Sequence, residues 1–66
     1  MIRVNGRSED RPPGPLLDLL RAQGVDPAAR GVAVAVNGAV VPRARWADHA
    51  LAEGDDIEIV KVLQGG

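Results

Sequence analysis

No cysteine occurs anywhere in the chain. That absence removes disulfides, thiolate metal sites and cysteine nucleophiles together. Small oxidised secreted scaffolds depend on such bridges, so the chain reads as cytoplasmic. Phe and Tyr are missing too, and Trp46 is the single aromatic residue, which leaves a core to be built from Val, Leu, Ile and Ala. No apolar run approaches the ~20 residues of a membrane span, and the opening Met1-Ile2-Arg3-Val4-Asn5-Gly6 lacks the basic-then-apolar layout of a secretion signal. Concentrated positive charge is absent as well: Arg3, Arg7, Arg11, Arg21, Arg30, Arg43 and Arg45 are scattered, and the formal net charge is −1. A phosphate backbone calls for a basic stripe. Neither nucleic acid nor membrane is expected as a partner.

What remains is a chain of 66 residues, near the lower size limit for independent folding, where only about 60% of the unfolded surface is buried. It is expected to form one domain, residues 1–66. Met1 to Asn5 alternates Ile2 and Val4 with Arg3 and Asn5, the period of a half-buried strand. Asn5-Gly6 signals a type I′ hairpin turn, because both residues tolerate positive φ. The return strand, Arg7 to Arg11, is polar and is stopped by Pro12 and Pro13, which donate no ladder hydrogen bond. Pro15 is expected at the first position of a helix, where its missing N–H costs nothing. Leu16, Leu17, Leu19 and Leu20 form the apolar face of that helix, and Gly24 ends it with Val25 folding back on Leu20.

Asp26-Pro27 starts a short turn, and Gly31 releases the chain into Val32-Ala33-Val34-Ala35-Val36, valines to one side and alanines to the other. Asn37-Gly38 repeats the hairpin signal, Val40 and Val41 begin the partner strand, and Pro42 ends it. Arg43 to Asp56 reads as irregular, folded onto the sheet by Trp46 as a core anchor. Ile57 to Leu63 is the last strand. Strand, strand, helix, strand, short strand, last strand is the order of an α+β fold of the β-grasp (ubiquitin-like) kind: a mixed sheet of about four to five strands packed on one helix, with the first and last strands parallel at its centre.

Catalytic constellations are hard to assemble from one Ser (Ser8), one His (His49), no Cys and no Tyr, because no nucleophile has a base and an orienter. His49 reads as a solvated loop residue, and Asp55-Asp56 as solvated turn chemistry, with no metal expected. The end of the chain is different. Gly65-Gly66 at a C-terminus arises by chance in about 0.5% of proteins at ~7% Gly per position. Residues without Cβ let an extended tail enter a narrow slot and leave the last carboxylate open to attack. From Leu63 through Gln64 to Gly66 such a tail spans ~13 Å at ~3.3 Å per residue. A frayed terminus also favours small residues.

The final strand carries a second signal. With Ile57 and Ile59 turned to the core beside Ile2, Val4, Val34 and Val36, strict alternation turns Glu58, Val60 and Val62 outward. Val60, Val62, Ala33 and Ala35 then form a shallow apolar patch leading to the tail, and such patches mark interaction sites. A bulge returning Val62 to the core is the alternative.

The stretch Val32-Ala33-Val34-Ala35-Val36-Asn37-Gly38-Ala39-Val40-Val41-Pro42-Arg43-Ala44-Arg45-Trp46, followed by Gly54-Asp55-x-Ile57-Glu58-Ile59-Val60 and Gly65-Gly66, resembles the ThiS-type sulfur carriers of thiamine biosynthesis, within the ubiquitin-like superfamily. The Val-Pro-Arg-x-x-Trp element is its most specific part, and Ser8 to Pro15 the part that departs from it. The resemblance implies a protein co-substrate and not an enzyme. An E1-like, ATP-dependent adenylating enzyme converts the Gly66 carboxylate to an acyl adenylate. A persulfide sulfur donor system then displaces AMP and leaves a thiocarboxylate, which gives its sulfur to thiazole synthase. No cofactor is held by the carrier itself, since ATP is used by its partner. Arg43 and Arg45, read as solvated, would then be open to steering by an acidic face of the activating enzyme. Other acceptors share the same tail chemistry, namely the molybdenum cofactor, tRNA thiolation or lysines tagged by the chain itself. A non-covalent interaction module with incidental glycines is the remaining alternative.

Overall fold

The computed structural model describes residues 1–12 and 14–61. Its elements are β1 (Ile2–Val4), β2 (Arg7–Glu9), α1 (Leu16–Ala22), β3 (Val32–Val36), β4 (Ala39–Val41), a short 3₁₀ helix (Arg43–Arg45) and β5 (Asp56–Lys61). They form one sheet of order β2-β1-β5-β3-β4, with β1 and β5 parallel and the other neighbours antiparallel. The last strand therefore enters the middle of the sheet, between two hairpins made earlier in the chain. This is the β-grasp arrangement expected from the element order.

Both hairpins turn as their Asn-Gly pairs require. Asn5 and Gly6 have φ of 51° and 82°, and Asn37 and Gly38 have φ of 53° and 84°, the left-handed pair that defines a type I′ turn. β2 is shorter than the Arg7 to Arg11 expected, ending at Glu9.

The start of α1 differs from expectation in an informative way. Pro15 is the N-cap and not the first helical residue: its ψ of 140° is extended. Its carbonyl nevertheless accepts the first helical bond, from Asp18 N–H at 3.1 Å. No side chain caps this end. The free N–H groups of the first turn instead reach carbonyls of the following loop, Leu16 to His49 at 2.8 Å and Leu17 to Trp46 at 3.2 Å. A helix of seven residues is too short to persist alone. It is held here by packing and by that loop. Its other end closes as a Schellman motif: Val25 N–H bonds Leu20 C=O at 2.9 Å and Gly24 N–H bonds Arg21 C=O at 3.0 Å, with Gly24 at φ 79°.

The core lies between α1 and the inner sheet face. Leu16, Leu19 and Leu20 meet Ile2, Val4, Val34, Val36 and Ile57, closed off by Val25, Val41, Trp46 and Leu51, all buried. Leu17, Val32 and Ile59 pack partly against this cluster. Trp46 anchors the 43–50 segment as expected, with its ring buried and Nε1–H donating to Val41 C=O at 2.9 Å. Leu51 is a core residue that periodicity does not reveal, because it stands alone in a polar loop.

Candidate functional site

The central strand decides what the sheet offers to a partner. Ile57 is flanked by Val4 on β1 and Val36 on β3 and is fully buried. The register with β3 then runs unbroken from Val36↔Ile57 to Val32↔Lys61, so no bulge interrupts β5 up to Lys61. Strict alternation keeps Ile59 half-buried on the core side and turns Glu58 and Val60 outward. Val60 is 51% exposed, directly opposite Ala33, and Glu58 stands opposite Ala35.

Ala35 is in turn paired with Val40 on the edge strand β4, and Val40 is 74% exposed. The outer face thus carries Val60, Ala33, Ala35 and Val40 together, with Glu58 beside them. Val40 joins this patch unannounced by the sequence reading, which placed Val40 and Val41 on one strand without assigning their faces. The signal was available: Val41 faces the core opposite Val34, so its neighbour must face out. The opposite end of the same face is polar, with Arg3 paired to Asp56 and to Ser8. Val62, Gln64, Gly65 and Gly66 lie outside the described residues, so the described part of the patch ends at Val60.

Arg43 and Arg45, both exposed, divide on inspection. The Arg43 guanidinium is not a free charge: its two terminal nitrogens donate to the carbonyls of Pro27 and Ala29, and its carbon sits 5.0 Å from the centroid of the Trp46 ring. It ties the turn after α1 to the segment that Trp46 anchors, a fork of donors that a lysine does not supply. Arg45 shares the outward position, and its main-chain carbonyl accepts from His49 N–H at 2.8 Å.

Asp55 in the 54–56 turn is also more engaged than a solvated turn residue would be, whereas the Asp56 side chain is exposed as expected. Asp55 Oδ2 accepts from Ala52 N–H at 2.8 Å and its Oδ1 from Asn37 Nδ2 at 3.0 Å. These bonds, the Ala52 N–H first and Asn37 second, with the nearby His49 imidazole, hold its carboxyl below the usual value of 3.8 against a small opposing effect of burial. Asn37 completes the link by accepting from Asp56 N–H at 3.0 Å. Together they fasten the tip of the β3–β4 hairpin to the root of β5. His49 is half-buried, and its carbonyl receives Leu16 N–H, so it belongs to the helix start. Among the described residues, no group of three or more His, Asp and Glu side chains is placed to hold a metal ion.

Comparison with known proteins points one way. A sequence model of the ThiS family matches residues 2–66. The sulfur carrier protein ThiS of Escherichia coli is 40% identical over 42 residues, 64% of this chain and 64% of that protein, so the matched stretch spans just under two thirds of the curated relative's length. A crystal structure of the thiamine biosynthesis protein ThiS from Geobacter metallireducens superposes with a TM-score of 0.75 at 28% identity, covering 98% of this chain and 97% of that one. A solution structure of a thiamine biosynthesis protein from the same organism gives 0.76 at 28% identity, covering 98% and 86%.

Proposed function

Because the chain belongs to the ThiS family, we propose that it is a sulfur carrier of thiamine biosynthesis, a protein co-substrate whose reacting group is the carboxylate of Gly66. In the first step a carboxylate oxygen attacks the α-phosphorus of ATP on an adenylating partner. Pyrophosphate leaves, and an acyl adenylate remains. A carboxylate is a poor electrophile and the mixed anhydride a good one, so the terminal sulfur of a persulfide donor then displaces AMP at the carbonyl carbon. Cleavage of the resulting acyl disulfide by a thiol leaves the thiocarboxylate. Ionised and nucleophilic, it passes its sulfur to thiazole synthase. A carrier without cysteine has to hold sulfur at a group of this kind.

The observation that carries this reading is the family match running to Gly66. The outer face supports it. Val60, Ala33, Ala35 and Val40 offer an apolar surface continuous with the strand that leads to the tail, suited to docking on the adenylating enzyme and on thiazole synthase. Of Arg43 and Arg45, it is Arg45 whose charge is left for steering, and Gln64 and Gly65 supply the segment that threads the partner's slot. Deletion of Gly66 is expected to abolish ATP–pyrophosphate exchange by the adenylating enzyme of the same host while the thermal transition stays unchanged. Retained exchange after deletion would sink the mechanism. Intact-mass spectrometry of protein from that host should show an oxygen-to-sulfur increase confined to the C-terminal peptide, and an adduct on a lysine side chain instead would identify tagging.

A further inference from the structure

Asn5 has a task besides its turn. The parallel pairing of β1 with β5 reaches only Val4↔Ile57, and beyond it Asn5 N–H bonds Ile57 C=O at 2.8 Å. β5 continues to Lys61, so past this point no strand among the described residues lies on its β1 side. Arg3 and Asn5 donate to the carbonyls of Asp55 and Ile57 on that side, and alternation directs the next N–H there, that of Ile59, to the same place. It meets a side chain: Ile59 N–H donates to Asn5 Oδ1 at 2.8 Å, across 54 positions of sequence. The amide stands in for the residue that β1 lacks and carries the ladder one step further. A residue in this place has to accept through a short side chain while its backbone sits at φ 51°. Asn and Asp meet both demands, whereas Gly meets only the second.

We propose that Asn5 is a positioning residue, pinning β5 at Ile59 so that the C-terminal segment is presented to the activating enzyme in one direction. The inference rests on the carrier reading above. With the pin, β5 is held from both sides as far as Ile59. Without it, β5 beyond Ile57 is paired among the described residues with β3 alone, through Val34↔Ile59, Ala33↔Val60 and Val32↔Lys61, with Ile59 packing only partly on the core. A cleft of about 360 Å³ lined by Asn5, Gln23, Val25, Ile59 and Lys61 adjoins the pin and gives the strand room to swing. Gly66 is joined to the sheet through this strand, seven residues after Ile59. Of the docking patch, Ala33, Ala35 and Val40 lie on β3 and β4, outside the segment that the pin holds, so most of that surface is left intact. Loss of the pin therefore lowers the fraction of docked carriers whose tail is aligned, a defect in kcat and not in KM.

Two variants separate this role from the turn. Asn5→Gly keeps the left-handed turn and removes the acceptor, while Asn5→Asp keeps both. In the isolated protein, Asn5→Gly is expected to speed amide exchange at Ile59 by about tenfold, the scale of one hydrogen bond, with Asn5→Asp close to wild type. In ATP–pyrophosphate exchange, Asn5→Gly is expected to lower kcat about three- to tenfold at unchanged KM, and Asn5→Asp to restore it. Unchanged Ile59 exchange in Asn5→Gly overturns the proposal. So does a rise in KM at constant kcat, or a folded Asn5→Asp that behaves like Asn5→Gly. A wild-type chain that is not activated at all would refute the carrier reading, and the positioning role with it, even where the exchange data uphold the bond itself.

Discussion

Replacing Val60 by Asp tests the outer face as a docking surface. Val60 is 51% exposed, and its covered half rests against Ala33 across the strand pair. Full burial of a valine is worth ~1.5–3 kcal/mol, so roughly half of that, ~1 kcal/mol, is already gained in the free domain and a similar amount is left for a partner. Asp forfeits the first share and is a poor strand former, which costs up to ~1 kcal/mol more. The fold should therefore lose ~1–2 kcal/mol, a fall of ~5–15 °C in Tm for a domain of this size. That leaves it native at assay temperature. Binding suffers more. The second ~1 kcal/mol is lost and a carboxylate has to be desolvated, at a cost of ~1–2 kcal/mol where it stays partly hydrated. KM for the adenylating enzyme should rise roughly thirtyfold or more, at 1.4 kcal/mol per tenfold, with little change in kcat. Thermal denaturation and ATP–pyrophosphate exchange on the same preparation decide it, joined by titration calorimetry against thiazole synthase. Global unfolding would place Val60 in the core, and undiminished affinity for both partners in a folded variant would remove this face from the docking surface.

Other perturbations read other links of the chain from sequence to function. Leu19, 1% exposed, should cost ~2–5 kcal/mol as Ala, and an unchanged denaturation midpoint would show that the leucine face of α1 is not what holds the helix. Trp46→Phe keeps most of the ring but removes the buried Nε1–H bond to the Val41 carbonyl, and should cost ~0.5–1.5 kcal/mol in urea denaturation; a neutral result would mean that the Nε1–H bond adds nothing to the ring's packing. The carboxyl of Asp55 is lowered from 3.8 in the folded state, so its contribution to stability is complete above that value and is lost as pH falls through the lower folded value. Asp55→Asn should accordingly flatten the acid limb of stability against pH, and an unaltered acid limb would contradict the assignment of its hydrogen bonds.

Most of this architecture is legible in short stretches of sequence because the interactions that create it are local. Asn-Gly pairs force their own turns, the leucines of α1 repeat with the helix, Gly24 and Val25 close it within one turn, and the alternation of Val32 to Val36 sorts core from surface. The carrier reading also came from contiguous motifs. Legibility ends where a side chain serves backbone far away. Nothing near Asn5 announces that its amide will receive Ile59 N–H, just as nothing near Arg43 announces the carbonyls of Pro27 and Ala29. In sequence Arg43 is one more scattered charge, and the fold makes it a clamp. Pro15 carried a helix-start signal but became the cap, because carbonyls of the 43–50 loop were in place to receive the first helical N–H groups. Composition and local spacing determined which faces are apolar, where the chain turns and what chemistry its glycine end suits. Only the tertiary structure decided which polar groups meet, since a hydrogen bond depends on atoms within about 3 Å, and in this chain those atoms are brought together by a strand that arrives last and lies in the middle of the sheet.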